Sequence, residues 1–324
     1  MLDWLLIVLG LVLLVGGGEA LVWGASGIAR LARITPAVIG LTIVAAGTSM
    51  PELVVSVQAA LAGSPGLAIG NVVGSNLFNI AAILGLTALI RPLRILGNTV
   101  RLEWPVMILA AFQLHLLARD GSIDRLEGAF FAVAMVIFTA YSVWLGRREM
   151  TEIETQEFEA NPNPSLPQSG PKALLFFLLL VAVGIGLLVG GSTALVTGSV
   201  GVAASLGVSE TIIGLTIVAA GTSTPELVTS LVAARRGKDD IAVGNIVGSN
   251  IFNVLAILGV TALILPVPVP NEIIVRDNWW MLGVSLLLFP LMKTGLRINR
   301  AEGALLLGVY AVYLGILISA AGVS

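Results

Sequence analysis

Two copies of one short polar stretch interrupt long apolar segments of the chain. The copies are Gly47–Glu52 (GTSMPE) and Gly221–Glu226 (GTSTPE). Proline lacks a backbone N–H and clashes with the carbonyl four residues earlier, so the carbonyls of Gly47 and Gly221 should lose their helical partners. Freed carbonyls, hydroxyls and a carboxylate form an oxygen-only site, which suits a hard cation.

The composition is that of a membrane protein. Of the 324 residues, 57% are hydrophobic and 11% are charged, whereas soluble domains carry about 25% charged residues. The net charge of −2 does not favour a nucleic-acid partner. The absence of cysteine and the single histidine exclude disulfides, thiolate zinc sites and most soft-metal chemistry, and no cofactor is expected.

Ten apolar segments approach the length of about 20 residues that crosses a membrane. These predicted transmembrane helices lie at 4–28, 36–62, 66–90, 102–118, 126–146, 173–204, 210–234, 240–265, 278–292 and 301–321. The loops on one side hold 14 of the 17 Lys and Arg residues, and the positive-inside rule makes that side cytoplasmic. We therefore expect an all-α, multi-pass protein of the plasma (inner) membrane with both termini outside.

The second half of the chain repeats the first. Residues 39–90 match residues 213–264 at 36 of 52 positions with no gap. Each half has five predicted helices, and because five is odd, the two halves must have opposite orientations. The domains are thus predicted as two inverted five-helix repeats, 1–146 and 172–324, joined by an acidic, proline-rich cytoplasmic linker at 147–171. That linker is too short for a folded regulatory domain.

The repeat is predicted to bring four polar helix faces together, two from each half. Residues at four-residue spacing share one face of a helix, and transporter sites lie at the interface between inverted repeats. These faces are Thr48, Glu52 and Ser56; Thr222, Glu226 and Ser230; Asn71, Ser75 and Asn79; and Asn245, Ser249 and Asn253.

The two glutamates carry the strongest functional signal. A charge at the bilayer centre costs at least about 2.5–3.5 kcal/mol, and no Lys or Arg lies in the central part of any predicted helix. Glu52 and Glu226 are therefore predicted to hold a bound cation or protons. The hydroxyls at the two breaks are predicted to join them; these belong to Thr48, Ser49, Thr222 and Ser223.

The motifs GTSxPE and GSN(I/L)FN, each present twice, resemble those of the calcium/cation antiporter superfamily, in particular its prokaryotic sodium/calcium exchangers. The resemblance implies exchange of Ca²⁺ for Na⁺ by alternating access, by a transporter that is not an enzyme. It implies that Ca²⁺ binds to Thr48, Glu52, Thr222 and Glu226. The residues expected to bind Na⁺, or to be shared, are Ala45, Ser49, Ser75, Asn79, Ala219, Ser223, Ser249 and Asn253.

One departure from the superfamily pattern leaves alternatives open. Many members have Asp at the position of Asn253, whereas both halves here end the motif in Asn. A Ca²⁺/H⁺ antiporter therefore remains an alternative, and Mn²⁺ could replace Ca²⁺.

A calcium channel is a rival from another class. Channels usually build glutamate rings from identical subunits, whereas this chain supplies its pair internally and requires no oligomer. A membrane enzyme is the third rival. The roles of Glu19 and His115 stay open.

Overall fold

The structure is a computed structural model that describes residues 2–148, 170–206 and 219–320. These residues are mostly helical. The helices of the first half are α1 (Leu2–Ala32), α2 (Pro36–Thr48), α3 (Met50–Leu61), α4 (Gly66–Ile90), α5 (Thr99–Asp120) and α6 (Arg125–Arg148). Those of the second half are α7 (Gly170–Ser205), α8 (Ala219–Thr222), α9 (Thr224–Arg235), α10 (Asp239–Ile264), α11 (Asn278–Lys293) and α12 (Arg300–Ala320).

Four two-residue strands tie the loops of the two halves together. They are β1 (Leu93–Arg94), β2 (Ser122–Ile123), β3 (Val267–Pro268) and β4 (Arg297–Ile298). Strand β1 pairs antiparallel with β4, and β2 pairs antiparallel with β3. Helix α5 runs from the β1 loop to the β2 loop and spans about 33 Å at the α-helical rise, so the two strand pairs lie at opposite ends of the molecule.

Several helices are long and apolar enough to cross a membrane. Seven of the described helices meet this condition, or eight if the bent pair α2 and α3 forms one span. The ten predicted crossings stay a prediction, because α11 has 16 residues and the predicted helix 210–234 begins outside the described residues. Most of the predicted linker also lies outside them, although α6 and α7 include its first and last two residues.

Helices α4 and α10 form the centre of the bundle. Their most apolar segments are 72% and 78% buried, whereas those of α6 and α12 are 22% and 17% buried. The polar motifs that follow the two breaks lie on these central helices, away from the surface that would face lipid.

The two predicted helix breaks are confirmed. The backbone leaves helical geometry at Ser49 (φ −85°, ψ 10°) and at Ser223 (φ −90°, ψ 10°), and α2 and α3 meet at an angle of 45°. Pro51 and Pro225 lie in the first turns of α3 and α9, where the missing N–H leaves no helical hydrogen bond unmade.

Helices α1 and α7, which are equivalent in the repeat, pack antiparallel along glycines. A Cβ at Gly10 would lie 2.6 Å from the backbone nitrogen of Leu195, and one at Gly24 would lie 2.9 Å from that of Val181. Small residues allow two backbones to approach this closely. Equivalent helices that run antiparallel are what a two-fold axis across the bundle produces.

Candidate cation site

The two breaks place the two glutamates in first turns of helices. Glu52 lies in the first turn of α3 and Glu226 in the first turn of α9. A helix N-terminus favours a carboxylate because its free N–H groups carry partial positive charge. Both side chains are only 1% exposed, so the chain buries two acidic groups at twin positions.

Each glutamate is held by the break of the other half. The Ser49 hydroxyl donates to Glu226 Oε1 at 2.8 Å, and the Ser223 hydroxyl donates to Glu52 Oε1 at 2.9 Å. Ser75 also belongs to this group, since its Oγ lies 3.2 Å from that of Ser223. The two breaks therefore face each other, and the carboxylates lie between them.

The remaining oxygens of this region form a set without partners. Glu52 Oε2 and Glu226 Oε2 are buried and accept no hydrogen bond within the described residues. None of the ion pairs formed by the described residues involves either glutamate. The same condition holds for three further oxygens, Asn79 Oδ1, Ser249 Oγ and Asn253 Oδ1. Burying such groups unpaired is costly, and a hard cation would satisfy them.

Two asparagines orient the glutamate helices. Asn71 donates to the carbonyl of Glu52 at 3.2 Å and to the Ser56 hydroxyl at 3.0 Å. Asn245 makes the twin contacts with Glu226 and Ser230, at 3.3 Å and 3.0 Å. The sequence placed both asparagines on polar faces, and the structure gives their amides a bridging role.

The two threonines differ in their surroundings. Thr48 is fully buried, and its hydroxyl donates to Asn245 Oδ1 at 3.1 Å. Its twin Thr222 is half-buried. Of the two predicted backbone ligands, Ala45 is buried in α2 and Ala219 begins α8.

Three contacts were missed by sequence reasoning. The Asn253 amide donates to Asn76 Oδ1 at 3.0 Å, and the Asn76 amide donates to the carbonyl of Asn250 at 3.3 Å. The Ser192 hydroxyl of α7 donates to the carbonyl of Gly221 at 2.6 Å, so one of the two carbonyls predicted to be free has a partner. Asn76 and Asn250 occupy the same position in the two copies of the motif GSN(I/L)FN, and this repetition is the sequence signal that could have identified them.

The residues left open by the sequence lie away from this region. Glu19 on α1 forms an ion pair with Arg236, which also lies over the ring of Trp23 at 4.7 Å. His115 is 8% exposed, and its ring lies 4.6 Å from that of Trp279. Both residues have structural partners.

This arrangement can bind a small hard cation between two carboxylates. Within the described part of the chain, no three residues of the types His, Cys, Asp and Glu cluster as a metal site. The candidate site therefore depends on two carboxylates completed by hydroxyl and amide oxygens. Two negative charges balance one divalent cation or two monovalent cations.

Comparison with known proteins decides the family. The model of the family described as sodium/calcium exchanger protein matches residues 2–144 and 176–319. The chain belongs to this family. It is 33% identical over 346 residues to the sodium/calcium exchanger MaX1 of Methanosarcina acetivorans, covering 97% of this chain and 98% of MaX1.

Two further relatives agree with this assignment. The inner membrane protein YrbG of Escherichia coli is 38% identical over 322 residues, covering 96% of this chain and 95% of YrbG. A solved structure of the sodium-calcium exchanger NCX_Mj matches with a TM-score of 0.82 and 30% identity, covering 97% of this chain and 98% of NCX_Mj. This family member is thus a multi-pass membrane protein and a calcium/cation antiporter, as the sequence motifs predicted. Its family is one of transporters.

A cavity borders the candidate site of this exchanger beside Thr222. Thr222, Asn71 and Ser75 line a cavity of about 430 Å³ that also reaches Asp277 and Tyr313. Asp277 precedes α11 and follows the β3 loop, so this cavity extends toward the end of the molecule where β2 and β3 pair. Thr48, the twin of Thr222, is fully buried. Among the described residues, open space therefore borders the candidate site beside Thr222.

Proposed function

We propose that this exchanger carries Ca²⁺ across the plasma (inner) membrane in exchange for Na⁺ by alternating access. One observation carries the proposal: the two breaks face each other and hold two buried carboxylates, each with an oxygen that has no partner among the described residues. A site of this kind needs a bound cation whenever the transporter changes from one open state to the other. Exchange follows, because an empty and doubly charged site is too poorly solvated to move.

The ions are assigned to overlapping sets of ligands. One Ca²⁺ binds where its charge is balanced by both glutamates, and Na⁺ uses the same carboxylates when Ca²⁺ is absent. The proposed calcium ligands are Thr48, Glu52, Thr222 and Glu226. The proposed sodium or shared ligands are Ala45, Ser49, Ser75, Asn79, Ala219, Ser223, Ser249 and Asn253.

We place the chain in the membrane as two inverted five-helix repeats, 1–146 and 172–324, with a cytoplasmic linker at 147–171 and both termini outside. The antiparallel packing of α1 against α7 supports this relation. The strand pairs support the topology, because each pair joins loops that a ten-helix path puts on the same side. The distribution of Lys and Arg sets the orientation, with 14 of 17 on the side of β1 and β4.

The names of the relatives point to the same exchange. MaX1 and NCX_Mj are both sodium/calcium exchangers, and the NCX_Mj crystal was soaked with Na⁺ and Ca²⁺. YrbG is an inner membrane protein, which supports the proposed location. Small cations and membrane lipid are the proposed partners, and neither an oligomer nor a folded regulatory domain is required.

One observation favours a second candidate, a Ca²⁺/H⁺ antiporter. Asn253 occupies the position at which many superfamily members have Asp, so the site has two carboxylates to attract Na⁺ instead of three. Protons could then serve as the counter-ion on the same glutamates.

A gradient-swap flux assay separates these candidates. The purified protein in proteoliposomes should take up radioactive calcium when Na⁺ is inside, and Glu52→Gln should abolish the uptake. Uptake driven by a pH gradient alone would favour the proton antiporter. Calcium flux that needs no counter-ion would favour a channel and refute the exchange.

A further inference from the structure

A second buried carboxylate lies apart from the candidate cation site. Glu103 is 3% exposed and ends the π-helical turn Thr99–Glu103 at the start of α5. The Thr99 hydroxyl bonds to its carboxylate, but Oε2 has no hydrogen-bond partner among the described residues. The ion pairs found within residues 2–148, 170–206 and 219–320 do not include Glu103. A negative charge on Glu103 would therefore be left without compensation by the described residues.

This carboxylate borders a small cavity. The cavity has a volume of about 170 Å³, and its polar lining comes from Thr35, Asn98, Glu103 and Ser142. Ser142 is 1% exposed, and its Oγ also has no partner within the part of the chain that the structure describes. One water takes up about 30 Å³ of liquid volume, so the cavity has room for a small ion and several waters.

The second half of the chain carries a buried acid at the equivalent position, and that acid has a basic partner. The residue equivalent to Glu103 in the repeat is Asp277, which is 3% exposed. Its two carboxylate oxygens accept hydrogen bonds from Arg276 at 2.8 Å and 3.1 Å, and the Tyr313 hydroxyl lies 3.3 Å away. In the first half, the position of Arg276 is taken by Leu102, which lines the cavity beside Glu103.

Both halves thus carry a buried acid at the same position of the fold. Among the described residues, Asp277 has a guanidinium partner and Glu103 has no basic partner. The absence of such a partner beside Glu103 among the described residues favours a positive ion from solution. A single carboxylate with hydroxyl and amide oxygens matches one monovalent, oxygen-preferring cation better than a divalent one, which would keep a net charge in a buried cavity.

We propose that Glu103 and Ser142 form a second cation site, which binds one monovalent ion of the Na⁺ type at the end of the molecule where β1 and β4 pair. The cavity reaches Leu41 in α2, and Thr48 lies seven residues further along the same helix, about 10 Å at the helical rise. The two sites are therefore separate. Binding at this second site requires neither Glu52 nor Glu226, and it goes beyond the proposed exchange.

The test uses the full chain with the central site disabled by Glu52→Gln and Glu226→Gln. Thermal unfolding of the purified protein is compared in NaCl and in N-methyl-D-glucamine chloride at equal ionic strength. We expect Na⁺ to raise the melting temperature in this background. Adding Leu102→Arg should abolish the Na⁺ response, because the guanidinium supplies the charge that Arg276 supplies to Asp277. The matched control Leu102→Gln adds polarity without charge and should keep the response.

Measuring the number of bound Na⁺ ions tests the second site without the Glu52→Gln and Glu226→Gln substitutions. Equilibrium dialysis of the otherwise unaltered chain should show one bound Na⁺ fewer with Leu102→Arg. Ser142→Ala should raise the Na⁺ concentration needed for half-saturation several-fold.

Three results would overturn the second site. They are the absence of any Na⁺ response in the double-glutamine background, a response that survives Leu102→Arg, and stabilisation by low pH that does not distinguish Na⁺ from the organic cation. The last result would mean that Glu103 is simply protonated. Loss of calcium transport in the background variant bears on the proposed exchange alone.

Discussion

Neutralising Glu52 should stabilise the cation-free protein and remove its response to calcium. In Glu52→Gln the side chain keeps its shape, and its Oε1 can still accept the hydrogen bond that Ser223 donates at 2.9 Å. What changes is the charge on a group that is 1% exposed and has no basic partner among the described residues. The substitution therefore isolates the cost of an uncompensated charge.

The size of the effect follows from two opposing terms. Removing a charge from the membrane interior gains at least about 2.5–3.5 kcal/mol. The new amide nitrogen replaces Oε2, which has no partner among the described residues, and an unpaired amide there costs about 1 kcal/mol. At a pH high enough to ionise Glu52, the free energy of unfolding without cations should thus rise by about 1.5–2.5 kcal/mol, which is roughly a tenfold to seventyfold change in the folding equilibrium.

The assay is unfolding of the purified protein in a sodium-free buffer with chelator, and again with calcium. Calcium at a hundred times its dissociation constant should stabilise the unaltered protein by about 2.7 kcal/mol, and Glu52→Gln should show no such gain. Glu272→Gln, an exposed acid, is the control and should behave as the unaltered chain does. If Glu52→Gln lowers stability in chelator and keeps the calcium response, the reasoning about an uncompensated charge is wrong.

Three further substitutions test how the site is supported. Ser192→Ala leaves the carbonyl at the second break without its hydrogen bond of 2.6 Å and should lower the free energy of unfolding by about 1–3 kcal/mol in chemical denaturation. Gly191→Ala places a Cβ 2.8 Å from a backbone nitrogen of α1 and should cost about 1–3 kcal/mol, whereas Gly190→Ala meets no atom within 4 Å and should be neutral. Asn76→Ala removes the acceptor of the Asn253 amide and should raise the Na⁺ concentration for half-maximal exchange several-fold, measured as sodium-driven calcium flux.

These substitutions also have outcomes that contradict the structure. Equal stability of Gly191→Ala and Gly190→Ala would mean that α1 and α7 do not pack along glycines. A Ser192→Ala variant with unchanged stability would mean that another group satisfies the carbonyl. Unchanged sodium dependence in Asn76→Ala would mean that the Asn253 amide is oriented by other contacts.

The sequence predicted the features that depend on local chemistry. Pro51 and Pro225 remove specific helical hydrogen bonds, so the breaks near Ser49 and Ser223 followed from two residues and their spacing. The burial of Glu52 followed from its place inside a long apolar segment. The repeat then transferred each conclusion to the second half of the chain.

Contacts between the halves could not be read in this way. No local pattern shows that Ser49 donates to Glu226, because the two residues are 177 positions apart. The hydroxyl of Ser192 satisfies a carbonyl that the sequence left free, and its twin position is Gly18, which has no side chain to do the same. The repeat therefore predicted symmetry well, and it could not predict where the two halves differ.

Glu103 was missed for a related reason. It is the second residue of the short predicted helix 102–118 and lies next to polar loop residues, where an acid is common. Only packing shows that it is buried. The guanidinium partner of its twin Asp277 belongs to the adjacent Arg276, and Leu102 takes the place of that arginine beside Glu103.

Calcium binding to the purified chain tests the central claim most directly. Equilibrium dialysis should show one Ca²⁺ per chain that Na⁺ displaces, and either Glu52→Gln or Glu226→Gln should reduce the affinity by at least two orders of magnitude, with Glu272→Gln unchanged. Calcium binding that persists at full affinity in both glutamine variants would contradict the account.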